Sequence, residues 1–215
     1  MSTPHHPDPP LERSLPPGQY WRPEPLVMHY GRVPKPRPER WTFTVGGATA
    51  SGTEQTFDLD AIRGLEFVEE LADMHCATRW SALDLRWSGY RAAELLELAP
   101  PDPRVREVLV FAEYGYAANL SLDDLVSPRS LLATHLDGEE LTAERGAPLR
   151  LVVPHLYTWK GPKWVRGWNY LLPDDGDLGF WEERGYHAHG DAWRQERYAY
   201  QSEDARDEVT PPSAR

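Results

Sequence analysis

The sequence predicts an α+β fold with mixed, mostly antiparallel sheets and short helices. Short β-rich runs alternate with brief helical segments, and the regular strand–helix–strand repeat of a parallel sheet is not found. The 215 residues include 21 prolines and 16 glycines, which favours irregular connections between short strands over a helical bundle. A chain of this length is expected to form one large domain with a sizeable core.

The first half of the chain combines strands with short helices. Residues 41–45 alternate apolar and polar side chains and end at two glycines, which predicts a strand followed by a turn. Asp60 is expected to cap a helix over residues 60–65. Residues 67–74 fit either a helix or a strand, because two adjacent glutamates interrupt the alternation. Residues 91–99 place leucines at helical spacing before a pair of prolines, which predicts a helix.

The second half is predicted to be richer in strands. Residues 105–111 and 116–120 are expected to form a hairpin, and Ser121 resembles the N-cap of a short helix. Residues 131–136 precede an Asp-Gly turn that favours another hairpin. Tryptophans and tyrosines are concentrated in this half, and most are expected to pack in the core. Two further strands are predicted, at residues 149–153 and 164–172.

Composition divides the chain into three parts. Residues 1–25 are proline-rich and lack periodicity, which predicts an extended arm that wraps the domain, or a loose terminus. Residues 26–200 hold the predicted elements and are expected to form the domain. Residues 201–215 are charged and polar, which predicts a disordered tail.

The charge and hydropathy of the chain argue against two classes of partner. Lysine and arginine number 23 against 34 acidic residues, for a formal net charge of −11, whereas nucleic-acid binding needs clustered basic groups. No apolar run approaches the ~18 residues of a membrane span, and the first residues show neither an apolar signal segment nor a twin arginine. We therefore expect a cytoplasmic protein that binds neither nucleic acid nor membrane.

Cys76 is the only cysteine in the chain, so it cannot form an intramolecular disulfide. His75 precedes it, and Arg79 follows three residues later. A nearby cation favours the thiolate, which makes Cys76 a candidate ligand for a soft metal or a candidate nucleophile. A buried cysteine that acts only as a small apolar side chain is the more common case on cysteine statistics alone. Both interpretations stay open at this level.

A basic segment stands out against the acidic background of the chain. Residues 146–155 form a predicted turn and strand in which Arg150 alternates with apolar side chains. Residues 159–167 follow as a loop that carries Lys160 and Lys163 between tryptophans. Taken alone, the arginine fits a solvent-facing strand position and the lysines fit a solvated loop. Their combination in an acidic protein favours a specialised role.

Several segments together resemble those of the sulfite oxidase superfamily. Residues 75–80 are similar to the segment that ligates molybdenum in that family. Residues 146–154 and 160–167 resemble its pterin-binding strand and loop, and residues 173–194 are similar to the closing stretch of small, stand-alone bacterial members. The resemblance covers roughly residues 26–198. It implies a sulfite oxidase-type molybdopterin-binding fold.

The resemblance implies a molybdenum–molybdopterin cofactor in which Cys76 is the protein ligand of the metal. A soft thiolate suits a metal that is already held by sulfur. Arg150 and Lys163 match family positions that hold the pterin and its phosphate, and a guanidinium with an ammonium suits a dianion. The backbone of Gly161 and Pro162 would line the same loop.

The resemblance also indicates residues around this centre. His29 and Tyr30 resemble an early family segment that touches the cofactor, while a histidine bonded to loop backbone fits His29 equally well. Asn119 borders a strand pair that comes near the pterin in the family, and His155 follows a strand end, where site residues are common. A structural role fits both of them as well. Arg79 is close enough to Cys76 in sequence to assist an anionic substrate, or it pairs with Asp73 or Asp84.

The sequence therefore predicts an oxidoreductase with Cys76 and Arg79 as its catalytic residues. It would move an oxygen atom to or from a small substrate, either a sulfite-like oxyanion or a sulfoxide. By family analogy, a separate flavin or haem protein would exchange the electrons. Two alternatives stay open: a Cys-dependent thiol enzyme without metal, and a cofactor-free binding module of the same fold. Adjacent positions on an extended segment disfavour a pair between His75 and Cys76, because neighbours point to opposite faces.

Overall fold

The computed structural model describes residues 13–35 and 37–201. The predicted tail over residues 201–215 lies outside the described residues except for Gln201, and so do the first twelve residues of the predicted arm. Within the described ranges, short strands are joined by irregular connections and three short α-helices. The elements are β1 (Tyr20–Arg22), β2 (Thr42–Gly47), β3 (Gln55–Asp58), α1 (Leu59–Arg63), β4 (Phe67–His75), β5 (Trp80–Arg91), α2 (Ala92–Leu98), β6 (Glu107–Ala112), β7 (Ala117–Ser121), α3 (Leu122–Leu125), β8 (Leu131–Leu136), β9 (Glu139–Glu140), β10 (Arg150–Val152) and β11 (Val165–Leu171).

The first sheet is built around the long strand β5. β4 pairs antiparallel with one edge of β5 along most of its length, from Phe67 opposite Tyr90 to His75 opposite Ser81. On the other edge, β1 runs parallel to the start of β5, and β8 runs antiparallel to its end. β8 in turn pairs antiparallel with β9 and β10. The end of β4 and the start of β10 therefore belong to one sheet.

The second sheet has the strand order β3–β2–β11–β6–β7. Only β2 and β11 run parallel, and the other three pairs in this sheet are antiparallel. Together the two sheets confirm the predicted α+β class with mixed, mostly antiparallel sheets and short helices. None of the helices in the described ranges has the length and apolar character of a membrane-spanning segment.

The main apolar core lies between the second sheet and the elements that cover it. Its buried side chains come from β2, β6 and β11 on one side, and from α1, α2, β8 and β10 on the other. A second cluster contains residues of β4, β5 and β8, and Cys76 lies in it. A third, smaller cluster packs the C-terminal segment against the loop after β10; its buried members are Tyr157, Trp159 and Ala192.

The start of α1 differs from its prediction by two residues. The side chain of Asp58, not Asp60, accepts the hydrogen bond from Ala61 N, at 2.8 Å. Asp58 is the last residue of β3 and keeps extended backbone angles, which is the conformation that an N-cap requires. Asp60 lies within the first helical turn instead, where its carboxylate faces the positive end of the helix.

Residues 67–74, which fitted a helix or a strand, form most of β4. Glu70, one of the two glutamates that interrupt the alternation, is tolerated in β4 because its carboxylate pairs with two arginines. The Glu70 carboxylate lies 3.2 Å from the Arg91 guanidinium and 2.6 Å from that of Arg129. The two glycines predicted as a turn after residue 45 are the last residues of β2.

A buried ion pair ties the C-terminal part of the domain to the rest. Lys160 ends the 3-10 turn Thr158–Lys160 and is fully buried. Its ammonium group donates to Glu182 Oε1 at 2.7 Å, to Asn119 O at 2.7 Å, and to Ala188 O. A buried ammonium is costly unless all its hydrogens are used, so these acceptors fix the position of the loop after β10.

Candidate functional site

A cavity of about 400 Å³ lies where the end of β4, the start of β10, the loop that follows β10 and the C-terminal segment meet. Its size is in the range of small-molecule and cofactor sites. The structure thus brings together positions that are far apart in sequence. Seven of the ten residues singled out from the sequence line this cavity: His29, Tyr30, Cys76, Arg150, Gly161, Pro162 and Lys163.

Cys76 follows directly after β4, in the tight turn that leads into β5. Its backbone N–H donates to Trp80 O at 2.9 Å, and its carbonyl accepts from Arg79 N at 2.9 Å, so the turn fixes its position. The thiol lines the cavity, and the Thr78 hydroxyl donates to Sγ at 3.1 Å. A hydroxyl donor stabilises negative charge on sulfur, which suits a thiolate ligand.

His75 does not pair with the Cys76 thiol. Its Nδ1 lies 2.8 Å from the Ser81 hydroxyl oxygen, and the buried ring meets Trp193 edge-on. Burial lowers the pKa of His75 to about 4, so the imidazole is neutral at pH 7. The described part of the chain therefore lacks the Cys–His pair that a metal-free thiol enzyme would use.

Two basic side chains line the cavity without a carboxylate partner among the described residues. The Arg150 guanidinium donates to Arg145 O at 3.2 Å and lies 5.0 Å from the centre of the Trp87 ring. Its buried Nε has no hydrogen-bond partner. The Lys163 ammonium donates to Glu144 O at 2.8 Å. Both groups therefore have donor capacity left for a bound anion.

Burial and repulsion from neighbouring arginines disfavour the charged forms of this pair. Burial, then Arg150 and then Arg145 lower the pKa of Lys163 to about 7. Burial and then Arg145 lower the pKa of Arg150 to about 10. An anion between the two side chains would reverse both effects, because an opposite charge favours the protonated form. The pair is therefore suited to a phosphate group.

Two glycines let the backbone pack closely around this pair. A Cβ on Gly146 would lie 3.0 Å from Arg150 Cβ and 3.1 Å from Lys163 Cβ, and Gly146 has a φ of +119°. A Cβ on Gly161 would lie 2.5 Å from Leu151 O. Any larger side chain would push the two basic residues or the loop apart, so glycine at both positions allows them to share one wall of the cavity.

Aromatic side chains form much of the remaining wall, a role that was not predicted from the sequence. The Phe180 ring centre lies 5.0 Å from that of Tyr30, 5.8 Å from Tyr116 and 5.1 Å from Trp181. The Tyr116 hydroxyl donates to Trp159 O at 2.6 Å, and burial raises the pKa of Tyr116. The concentration of aromatic residues in the second half of the chain was the only available signal, and it also fits a core.

Arg79 does not line the cavity. It is exposed in the turn after Cys76, where its φ is +77°. Asp73 and Asp84, its suggested structural partners, instead form ion pairs with Arg13. A role for Arg79 in orienting an anionic substrate stays a prediction from the sequence alone.

Asn119 and His155 also lie outside the cavity wall. The Asn119 side chain donates to Asp177 O at 2.9 Å and accepts from Gly179 N at 2.6 Å, so its amide is used within the protein. His155 Nε2 lies 2.6 Å from the Asp124 carboxylate. These contacts give both residues structural roles, and their cofactor contacts stay predictions from the sequence.

Sequence comparison assigns the family. The sequence model of the family described as "Oxidoreductase molybdopterin binding domain" matches residues 30–177, more than half of the chain. The chain belongs to this family. It is also 39% identical to the "Uncharacterized oxidoreductase YuiH" of Bacillus subtilis (strain 168), across 81% of this chain and 86% of that protein.

The chain is also similar to a second named relative and to one solved structure. It is 30% identical to the "Protein-methionine-sulfoxide reductase catalytic subunit MsrP" of Gluconobacter oxydans (strain 621H), across 64% of this chain and 53% of that protein. The chain thus spans about half the length of that relative. Its fold is similar to that of the sulfane dehydrogenase SoxCD from Paracoccus pantotrophus, with a TM-score of 0.59, 17% identity, and coverage of 66% of this chain and 41% of that one. The latter likeness confirms the predicted fold of the sulfite oxidase type.

The cavity residues fit a molybdopterin of this family. Cys76 offers one soft donor, and no cluster of three or more His, Cys, Asp or Glu in the described ranges could hold a metal by itself. A metal here would therefore need donors from a cofactor, which a dithiolene supplies. The unpartnered Arg150 Nε and the Lys163 ammonium suit its phosphate, and the aromatic wall suits an organic ring system.

Proposed function

We propose that the protein is a molybdenum–molybdopterin oxidoreductase that removes oxygen from neutral sulfoxides. One observation carries the proposal: Cys76, Arg150 and Lys163 line the same cavity, which is large enough for a cofactor. When bound, the cofactor supplies the two-electron exchange of an oxygen atom. The protein holds the cofactor, shields it and selects the substrate.

Each residue has a role that follows from its chemistry. The Cys76 thiolate is the protein ligand of the metal, and the Thr78 hydroxyl fixes the direction of its Sγ lone pairs. Arg150 and Lys163 neutralise the cofactor phosphate, whose binding restores the charged form of Lys163. Gly161 lets the loop that carries Lys163 pack against β10.

The cavity lining favours a neutral sulfur compound over an oxyanion. Apart from Arg150 and Lys163, no lysine or arginine in the described ranges lines the cavity. Those two cations are used by the cofactor phosphate in this proposal. Most of the remaining wall is aromatic or aliphatic, and it includes Met28 and Met74. Such a wall stabilises the carbon groups of a sulfoxide by burial, whereas sulfite would lose hydration without gaining a counter-charge.

The name of one relative agrees with this substrate class. The Gluconobacter oxydans protein is named as the catalytic subunit of a reductase for methionine sulfoxide in proteins. At 30% identity, and with only 53% of that protein covered, the name supports a sulfoxide as substrate and leaves its size open. The cavity has an exposed edge at Tyr30, whose side chain is 71% exposed. A sulfoxide carried on a molecule larger than a free small compound would therefore also reach the cavity.

The test uses the full chain produced in a host supplied with molybdate. We expect close to one molybdenum atom per chain by mass spectrometry, and oxidation of reduced methyl viologen that depends on methionine sulfoxide or dimethyl sulfoxide. The matched variant Cys76→Ser should lose this turnover while it stays folded. A folded protein without molybdenum would contradict the cofactor assignment.

A sulfite-like oxyanion is the second candidate substrate, because Arg150 and Lys163 line the same cavity. If the molybdenum-loaded protein reduces no sulfoxide but transfers electrons from sulfite to ferricyanide, its substrate is an oxyanion and not a sulfoxide. A metal-free protein whose activity is lost on thiol alkylation would favour the thiol enzyme instead. A folded protein that yields no pterin fluorescence after denaturation and oxidation would favour the binding module.

A further inference from the structure

A basic strip runs along the surface just after the first cavity-lining segment. It consists of four exposed residues, Arg32, Lys35, Arg37 and Arg40. None of their side chains forms an ion pair with a carboxylate in the described ranges. Glu39 is the only acidic residue between the first and the last of them, in a chain with a formal net charge of −11. Four unpaired cations this close in sequence form a local field of opposite sign to the rest of the molecule.

One end of the basic strip adjoins the cavity, and the other end is linked to it through a chain of side-chain contacts. Gly31, which directly precedes Arg32, lines it. Arg40 directly precedes Trp41, whose ring lies 5.7 Å from the Arg166 guanidinium. Arg166 in turn lies 3.5 Å from the carboxylate of Glu113, which lines the cavity as well. The basic strip therefore begins at the cavity edge, and its far end is connected to a second cavity-lining residue through Trp41 and Arg166.

Exposed apolar side chains at the cavity edge adjoin the basic strip. Tyr30 is 71% exposed and Tyr114 is 66% exposed, and Met28 is also exposed. All three line the cavity. Protein–protein interfaces are enriched in aromatic residues, methionine and arginine, with the polar groups arranged around the apolar ones. The edge and the basic strip together have this composition.

We propose that this surface docks an acidic electron-transfer protein, for which an acidic flavodoxin is a suitable probe. The proposal rests on the proposed function, in which each sulfoxide gains two electrons and two protons and yields a sulfide and water. The two electrons come from the docked carrier, and the protons come from solvent. A carrier held at the cavity edge is as near to the bound cofactor as the protein surface allows. The negative surface of the carrier is attracted by the basic strip and repelled by the acidic remainder of the chain.

The partner is a compact acidic protein rather than a nucleic acid. A polyanion that extends beyond the basic strip would meet the acidic remainder of the chain, and binding one needs phosphate neutralisation along its length. A small anion would need a concave site with buried donors, whereas the strip side chains are exposed. A patch of four cations beside aromatic rings has the composition of a protein–protein contact.

The test compares two variants of the cofactor-loaded full chain. Arg32→Glu, Lys35→Glu and Arg37→Glu are combined in one variant. Arg63→Glu, Arg86→Glu and Arg104→Glu are combined in a control, which makes the same charge change at exposed residues that do not line the cavity. Sulfoxide turnover is driven either by a reduced acidic flavodoxin or by reduced methyl viologen. Binding of flavodoxin, and of a basic cytochrome c, is measured by calorimetry.

We expect kcat/KM for flavodoxin to fall on the order of tenfold or more in the strip variant at low salt, and less than threefold in the control. The loss should shrink near 0.5 M salt, where screening shortens the range of the field to roughly 4 Å. Turnover with methyl viologen should match wild type in both variants. Equal losses in the two variants, tighter binding of cytochrome c than of flavodoxin, or no flavodoxin binding at all would overturn the docking surface. Absence of viologen-driven turnover in wild type would instead refute the proposed function, and the calorimetry would still decide the docking.

Discussion

Lys163 and Arg150 are held in the cavity wall at a cost to the cofactor-free protein. Arg150 is buried and Lys163 is half-buried beside it, neither has a carboxylate partner among the described residues, and the pKa of each is lowered. Side chains arranged in this way destabilise a protein until an anion binds. The same arrangement makes the site selective for a doubly charged group, because one negative charge would leave part of the repulsion in place.

Replacing Lys163 with Met should therefore affect stability and cofactor content in opposite directions. In the cofactor-free protein we expect the variant to be more stable by about 1 kcal/mol at pH 7, because a half-buried charge without a carboxylate partner is removed. In a molybdate-supplied host we expect the same variant to retain much less molybdenum and pterin, because the phosphate loses a partner. Chemical denaturation and metal analysis measure the two effects.

The pH dependence of this stability difference has a definite sign. Between about pH 7 and 10.5, the unfolded chain keeps a proton on Lys163 that the folded, cofactor-free protein has lost. The wild type therefore gains stability relative to the variant as the pH rises through this window. The gap should be largest at pH 7 and close towards pH 10.5. Arg86→Met, at an exposed arginine, is the control, and a gap that widens with pH would contradict the lowered pKa.

Sequence reasoning singled out the proposed metal ligand and the proposed phosphate-binding residues, which line one cavity, because they lie in short, contiguous segments. Cys76, Arg150 and Lys163 are each recognisable from their neighbours in the chain. Tyr116 and Phe180 were missed because their place in the wall depends on contacts with distant residues. The role of Asn119 also depends on distant residues. Its sequence position suggested a cofactor contact, whereas in the structure its side-chain amide bonds to two backbone groups.

At the scale of elements, local sequence signals were sufficient to predict one hairpin and one helix cap. The β6–β7 hairpin and the Ser121 cap of α3 were predicted because their determinants lie within a few residues. The parallel pairing of β1 with β5 was not predicted, because proline-rich sequence carries no periodic signal and the pairing is non-local. The cap of α1 was misplaced because two aspartates, Asp58 and Asp60, compete for that role in the sequence.

Among the contacts between elements, the ion pair of Lys160 with Glu182 is the one whose loss should destabilise the protein most. Replacing Lys160 with Met should destabilise the protein by about 3–5 kcal/mol, because Glu182 is left buried without its cation. The double variant Lys160→Met, Glu182→Met should recover much of that loss, since no unpaired charge remains. Denaturant titration of the wild type, both single variants and the double variant gives the coupling energy. Additive losses would show that the two side chains do not act as a pair.

A second polar cluster fixes the C-terminal segment to α3. His189 lies 3.4 Å from the Asp124 carboxylate and 2.8 Å from that of Glu196. The hydrogen bond to Asp124 is the main cause of the raised pKa of His189. Burial alone would raise the pKa of Asp124, but hydrogen bonds from His155, His189 and Ser121 outweigh it and lower that pKa. Both shifts stabilise the charged forms of the cluster.

The stability that His189 contributes should decline with rising pH. A raised folded-state pKa gives a contribution that is complete below about 6.5 and is lost as the pH passes through the folded value. We expect amides of residues 187–196 to lose hydrogen-exchange protection, after correction for intrinsic rates, as the pH rises above about 6.5. In His189→Gln the protection should be lower and independent of pH. An unchanged profile in that variant would contradict the role of His189, and His135→Gln serves as control.

At the scale of the whole molecule, the fold brings three distant parts of the chain to one cavity. The first sheet supplies Cys76 and Arg150, the loop between β10 and β11 supplies Lys163, and the C-terminal segment supplies aromatic residues of the wall. The sequence predicted the fold class and the first two contributions. The closure by the C-terminal segment depends on the buried Lys160 ion pair, whose partners lie too far apart in sequence to be recognised from it.

The bond between Cys76 and molybdenum is the central claim, and X-ray absorption at the molybdenum edge tests it most directly. Wild-type protein and the Cys76→Ser variant, both loaded with metal and pterin, are compared at the same pH. We predict that the variant shows one sulfur neighbour fewer around molybdenum than the wild type, because the thiolate is the protein's only ligand. An identical number of sulfur neighbours in the two proteins would contradict the assignment of Cys76 as the metal ligand.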